Sequence, residues 1–494
     1  MKKIYKQIVN FLSTNIFFGI VWVISVIQAS WIAVSARYPM AFDEAYHLNI
    51  IKLHAKMVSP IFLEQPPGMA TYGALVRDPS FLHHYLLSLP YRLFEYLGLS
   101  EYTGVIVLRF INIAMFAVGL ILFKKLLEKT LASKAAINTA IFFFIMIPTV
   151  PLLAGQINYD NLQFPLIAWS LLLALKFVNK LKANKFDLKL LLSTLTVSLV
   201  GTYNKFTFLP IFTATVVYLL FVIVRQYRTK KILVKNVKND WKKNSIVSRT
   251  IVVTTFSLSV ALFIWFYGVN IVVHKNPIAQ CGQVLGVARC QTYGPWARNH
   301  RYAQMQRKVD PNPLRYTIGW VGGMHYRLFF TINGSTGPLL YTNHTAPVVT
   351  ITAAVLGFLG LLLSAKYIRL ILRKDYVLVF LLFNVLIYTI SVWGRNYHDY
   401  LQLGQNVAIN GRYLQPILLP VMILMIAGFQ RQLYYNLGLK ISVLVLSSLL
   451  FLSGGGITGY IHYSTIDWFW EGRQFYQNTN IVLKRLVAPF FLWR

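Results

Sequence analysis

Carboxylates are scarce in this chain, and two of them stand side by side. Of 494 residues only 15 are Asp or Glu, yet Asp43-Glu44 opens a stretch that continues Ala45-Tyr46-His47. If a helix begins here, Asp43 and His47 lie one turn apart on a shared face. A carboxylate so placed takes a proton from an acceptor hydroxyl, with Glu44 beside it as a second candidate base. The plainer reading is that Asp43 caps the helix starting at Glu44, and the two roles are compatible. Further along, Asp78-Pro79-Ser80-Phe81-Leu82-His83-His84-Tyr85 offers a histidine pair for orienting a phosphate or binding a metal. Adjacent residues on a helix point about 100° apart, so His83 and His84 make a poor bidentate pair. At least one of them reads as structural, and spacing supports no metal site, although a divalent metal stays open. Gly155-Gln156-Ile157-Asn158-Tyr159-Asp160-Asn161 sets five polar side chains between apolar runs. They face water or a protein cavity, or else form a turn with Asp160 as the cap of the next helix. Isolated cations come at Lys205, Arg395 and Arg412, the last followed by Tyr413. Each suits a phosphate held at a membrane surface, Arg through bidentate contacts, and each also reads as a span-end residue snorkelling to the interface. Arg109 reads as the structural partner of a loop carboxylate.

The elements that must position these residues are set by composition. Hydrophobic residues make up 56% of the chain and charged residues 13%, about half the ~25% of a soluble domain. Mean hydropathy is +0.54. A soluble enzyme and a disordered basic tail are excluded, and the fold class is an all-α polytopic membrane protein. A formal net charge of +33 suggests nucleic acid only where it forms one solvated patch; here it falls in short clusters between apolar runs, which describes topology. No nucleic-acid partner is expected. With two cysteines, neither a disulfide framework nor a Cys-rich metal site is available.

Runs of about 20 apolar residues read as eleven spans, near 13–34, 104–123, 136–153, 162–178, 188–203, 206–224, 250–273, 346–364, 376–393, 413–429 and 441–460. With the N-terminus inside, the inner connections are short and basic, the largest cluster lying in 225–249. They contain only Glu128, Asp187, Asp240 and Asp375 of the acids. The bacterial inner membrane, a cytoplasmic N-terminus and an outer C-terminus follow as expectations. Ala33-Val34-Ser35-Ala36 resembles a signal-peptidase site, but the apolar stretch before it is too long, so 1–34 is expected to be an uncleaved anchor. Bundles at 104–273 and 346–460 then frame two long outer loops, 35–103 and 274–345, with an outer tail at 461–494. The first loop should hold helices at 44–57 and 80–98, the latter lying on the membrane through Leu82, Leu86, Leu89, Leu93 and Leu97. The second holds Cys281 and Cys290, a candidate disulfide pair, and the sequons Asn333-Gly334-Ser335 and Asn343-His344-Thr345. Its Trp296, Tyr302, Trp320 and Tyr326 either stack on sugar rings or anchor the loop.

Taken in order, these motifs resemble the GT-C superfamily of membrane glycosyltransferases, which includes the protein O-mannosyltransferases and the aminoarabinose transferases of lipid A. The shared features are Asp43-Glu44 after the first span, Pro79-Ser80 leading to His83-His84-Tyr85, Leu108-Arg109-Phe110-Ile111-Asn112, and Asn158-Tyr159-Asp160. Gly411-Arg412-Tyr413 with Pro416 is also similar to a bacterial family of GT-C-like membrane proteins of unknown substrate. The resemblance covers most of the chain and implies an extracytoplasmic active site using a polyprenyl-phosphate sugar as donor. It gives Asp43 the role of base and one or more of Lys205, Arg395 and Arg412 that of phosphate binding. The acceptor, whether glycan, lipid or protein, stays open. A ligase or polymerase of lipid-linked glycans would share this site, whereas a non-catalytic transporter would be expected to show internal repeats, which are absent here.

Overall fold

The computed structural model describes residues 2–230, 241, 245–305, 307–335, 341–433 and 436–491. Among them eight helices are long and apolar enough to cross a membrane: Asn15–Ser35, Glu101–Leu127, Asp160–Lys182, Phe206–Arg228, Ile246–His274, Pro347–Lys366, Tyr376–Leu403 and Gly411–Gln432. Their backbone hydrogen bonds close internally, as hydrocarbon surroundings demand, except where Pro165 and Pro420 inside a helix cannot donate. Their outer faces expose apolar side chains such as Ile16, Ile27, Phe221, Phe358 and Leu362. The chain is a helical integral membrane protein. The basic connection expected at 225–249 falls mostly outside the described residues.

The other expected spans are shorter. Leu188–Asn204 is one helix of 17 residues. The stretch 136–153 divides into Lys134–Ile145 and Thr149–Ala154, because Pro148 and Pro151 cannot donate to a continuing ladder. The stretch 441–460 divides into Leu437–Leu452 and Thr458–Tyr463 around Gly454-Gly455-Gly456. The two interruptions meet. The Gly456 N–H donates to the Met146 carbonyl at 2.6 Å, and Gly455 lies where a Cβ would collide with the Phe451 and Met146 carbonyls. One break thus satisfies polar backbone freed by the other. The helix Tyr376–Leu403 also runs ten residues past its expected end at 393, reducing the loop foreseen at 394–412 to residues 404–410.

The centre of the bundle is aromatic. Phe164 stacks on Phe116, Phe123 and Phe144 with ring centroids 5.2, 4.3 and 5.6 Å apart. Gly119 leaves the space that this ring fills.

Three segments converge on one face. Arg37 pairs with Glu471 at 2.7 Å, and the Tyr102 and Tyr476 hydroxyls are 2.7 Å apart, joining the tail to the first loop. Thr71 donates to the Thr292 carbonyl at 3.2 Å, and Phe42 meets Phe330 edge-on, joining the second loop to the first. On the opposite face the Leu131 N–H donates to Asp375 at 2.6 Å and Lys180 pairs with Asp187. The helix Leu82–Tyr96 turns His83, His84, Leu87 and Ser88 inward and exposes Leu86, Leu89 and Leu93, an arrangement suited to the membrane surface. The second loop adds an antiparallel hairpin, Phe330–Ser335 with Tyr341–Thr345, to the otherwise helical described residues. Both sequons lie on it. Cys281 and Cys290 are disulfide-bonded.

Candidate functional site

The two adjacent acids have separate fates. Glu44 is fully buried, and Arg109 grips it with Nε donating to Oε1 and Nη2 to Oε2, each at 2.8 Å. The Met40 and Ile157 N–H groups donate to the same carboxylate at 2.8 and 3.1 Å. Arg109 also donates to the Ala33 and Ala36 carbonyls. With no edge left for a substrate, Glu44 is a structural anchor and is withdrawn as a second base. Arg109 joins the end of the first long helix, the first loop and the 155–161 turn.

Asp43 occupies the N-cap position of Glu44–Ala55, but its side chain makes no capping bond, which corrects the capping expectation. Phe42 and Asp43 both adopt left-handed backbone, φ 66° and 73°, a conformation costing roughly 1–2 kcal/mol per non-glycine residue. The turn sends the carboxylate toward Arg412, whose Nη2 donates to Oδ2 at 2.9 Å while Nη1 donates to the Phe42 carbonyl at 3.2 Å. The Arg412 side chain is 6% exposed and that of Asp43 52%. A buried cation therefore holds a carboxylate that still meets solvent.

A second ion pair lies beside the first. Lys205 Nζ donates to Asp160 Oδ1 at 2.5 Å, with Lys205 buried and Asp160 nearly so. Lys205 sits over the Tyr159 ring at 4.3 Å and the Tyr413 ring at 5.2 Å, and Arg412 lies 5.3 Å from the same Tyr413 ring. Tyr413 is thus the shared aromatic face between the two cations. Burial pushes Lys205 below the usual lysine range, while Asp160 opposes that shift. Asp160 Oδ2 and Arg412 Nε are buried without a hydrogen-bond partner, so polar capacity is left for a ligand. Asp160 does not cap the next helix: the N-cap is Tyr159, and the Asn158 side chain accepts from the Asp160 N–H. Asn158 also donates to the Phe42 carbonyl, bracing the Asp43 turn. Arg395 stands apart, half-exposed, 3.9 Å from Asp399 and over Phe206, the neighbour of Lys205.

One turn after Asp43, His47 meets His84. His84 Nδ1 bonds to the Ser80 carbonyl, so that nitrogen carries the proton. In the neutral ring Nε2 is then an acceptor, and the 2.9 Å contact to His47 Nδ1 makes His47 the donor. His47 Nε2 is left as a buried lone pair with no partner. Burial, reinforced by the neighbouring histidines, holds His47 and His84 well below the ordinary imidazole range. His83 turns away to the Asn112 amide oxygen at 3.0 Å, and burial lowers it to about 4. Among the described residues no three His, Cys, Asp or Glu side chains converge as a metal site requires.

Sequence reasoning missed three contributors. His47 was placed on the Asp43 face but given no role, although its i+4 spacing was the signal. Tyr159, between Lys205 and the His47 ring 4.5 Å away, was read only as one polar residue of a turn. Tyr293, three residues past Cys290, packs on Gly73 and feels the charges of Asp78 and Asp43; nothing in its local sequence announces that. Of the loop aromatics, Trp320 is buried and donates to Asn396, while Trp296 stacks on His300. Comparison with protein-family models, curated proteins and solved structures finds no match to this chain.

Proposed function

We propose that this protein is a GT-C-like glycosyltransferase, moving a sugar from a polyprenyl-phosphate donor to an acceptor hydroxyl at the face where the two long loops meet. We further propose eleven crossings, with that face outside a bacterial inner membrane. One observation carries the reading: a half-exposed carboxylate, Asp43, is ion-paired to a buried arginine that shares an aromatic platform with a second buried cation. General-base and phosphate-binding groups are thereby brought to one site; displacement with inversion sets them on opposite sides of the anomeric carbon, so the Asp43–Arg412 pair opens to admit the sugar.

The charges balance through the step. The acceptor O–H gives its proton to Asp43, and its oxygen bonds to the anomeric carbon. The bond from that carbon to the phosphate oxygen breaks with its electron pair, so the phosphate gains one negative charge as Asp43 loses one. Arg412, released from its carboxylate partner, is then free to neutralise the leaving phosphate. Direct displacement inverts the anomeric centre. Lys205 contributes the second cation, and its Asp160 partner holds it in place.

The test is incubation of purified protein with a panel of polyprenyl-phosphate sugars, reading release of free polyprenyl phosphate. Release by the wild type and none by Asp43→Asn are expected. Silence across the panel overturns the reading, and normal turnover by Asp43→Asn ends the base assignment.

A further inference from the structure

Away from the ion pairs, the 404–410 loop and the helices Pro313–Leu328 and Tyr376–Leu403 enclose a cleft of about 360 Å³. Two lining residues, Tyr316 and Tyr400, are aromatic, and further rings pack against them. Tyr316 stacks on Tyr400 with ring centroids 4.9 Å apart, and Tyr397 lies 5.0 Å from Tyr316 and stacks on Trp393. The rim is polar, formed by Lys308, Asp310, Arg315 and Asn406. Tyr316 is 8% exposed, and its hydroxyl has no hydrogen-bond partner. Burying a hydroxyl unpaired costs on the order of 1–3 kcal/mol, a deficit relieved when the ring turns its hydroxyl toward a ligand in the cleft.

We infer that this cleft binds a saccharide, with preference for one carrying an acidic group, and that it is the acceptor subsite of the transferase proposed above. The inference rests on that reading for the word acceptor, but not for the binding itself. A sugar ring presents an apolar C–H face suited to a flat aromatic wall and an edge of hydroxyls suited to Asp, Asn and Arg side chains. A hydrocarbon chain would not match the charged rim. The rim holds two cations against one carboxylate, and Arg315 and Asp310 already pair at 3.1 Å, leaving Lys308 for an anionic substituent. On the same helix Leu314, Ile318 and Val321 are exposed; this apolar stripe suits lipid and sets the cleft at head-group level. Tyr413 and Tyr400 both pack against one cluster that includes Tyr316, which links the cleft to the platform that carries Lys205 and Arg412.

The test is titration of the full-length protein in detergent with maltotriose and with trigalacturonate, followed by tryptophan emission, since Trp393 and Trp320 lie in the cluster. Saturable binding is expected for both, at least threefold tighter for trigalacturonate in low salt. Tyr400→Ala should weaken both at least tenfold, and the rim variant Lys308→Gln should remove the acidic preference while retaining maltotriose. Farnesyl phosphate binding should be unchanged in both variants. Absence of saturable binding to either saccharide overturns the inference, as does equal binding by Tyr400→Ala. Loss of farnesyl phosphate binding alongside saccharide binding also overturns it, because the variant then acts on folding. Wild-type saccharide binding without sugar transfer would count against the transferase reading and leave the cleft standing.

Discussion

Replacing Asp43 by Asn separates the two duties this residue carries. The amide keeps the volume and an acceptor oxygen for Arg412, so the fold is retained, but proton acceptance and negative charge both go. The charge loss has a magnitude. At the observed 2.9 Å, Coulomb attraction between Asp43 and Arg412 is about 6 kcal/mol at an effective dielectric of about 20, and about 1.4 kcal/mol in water. The Asp43 side chain is 52% exposed, so the lower figure is the better guide, and ~1.4 kcal/mol is tenfold in a binding constant. Freed of that competing carboxylate, Arg412 should bind phosphate about tenfold more tightly. The assay is calorimetric titration of farnesyl phosphate into wild type and Asp43→Asn, at low and high ionic strength. The expected pattern is tighter binding with lost transfer, the gain shrinking as salt screens the exposed carboxylate. Equal or weaker binding in the variant refutes the idea that Asp43 and phosphate compete for Arg412.

Other perturbations separate chemistry from architecture. Glu44→Gln leaves Arg109 buried without a counter-charge and should cost on the order of 3–5 kcal/mol of stability, seen as a lower yield of monodisperse protein. Near-wild-type yield and melting temperature would contradict the anchor role. Lys205→Met should weaken farnesyl phosphate binding at least tenfold and, because it leaves the largely buried Asp160 without its counter-charge, should also lower the melting temperature; unchanged affinity would remove Lys205 from the phosphate site. His83 is held at about 4 against ~6.5 unfolded, so the unfolded chain binds more protons between these values. Stability is therefore full above about pH 6.5 and falls toward pH 4, by up to about 3 kcal/mol from this residue. Melting temperature should drop across that window and drop less in His83→Gln; a flat wild-type profile would sink the prediction. Reducing Cys281–Cys290, nine residues apart, should loosen the 276–305 segment by about 3 kcal/mol. Limited proteolysis should then cut there while the long helices survive; unchanged digestion would contradict it.

The long helices were legible because lipid leaves one local pattern available, an apolar run that closes its own hydrogen bonds. The interruptions were less so. Hydropathy reads 136–153 and 441–460 as continuous, and nothing in either stretch says that its break is answered by the other 300 residues away. The candidate site acids were recognisable by scarcity, since only 15 residues are Asp or Glu. Their pairing was not, because Asp43 meets Arg412 across 369 positions and Lys205 meets Asp160 across 45. Local rules also misled at both Asp43 and Asp160: Asp43 stands at the cap without a capping bond, Asp160 is the first residue inside its helix, and each is drawn off by a distant cation. Glu44, neighbour to Asp43 in sequence, points the opposite way because the left-handed turn at Phe42 and Asp43 separates the two side chains.

The Glu44–Arg109 knot bears on how the chain is made. Arg109 belongs to the helix Glu101–Leu127 and cannot rest alone in hydrocarbon, while its hydrogen-bond partners Glu44, Ala33 and Ala36 all precede residue 45. During synthesis the charge emerges after Glu44 and before Ile157, so in the proposed orientation the first loop has crossed the membrane before this helix is made. The Glu44 carboxylate is then in place to receive Arg109. Assembly of the site thus begins with a step that Asp43, Lys205 and Arg412 take no part in.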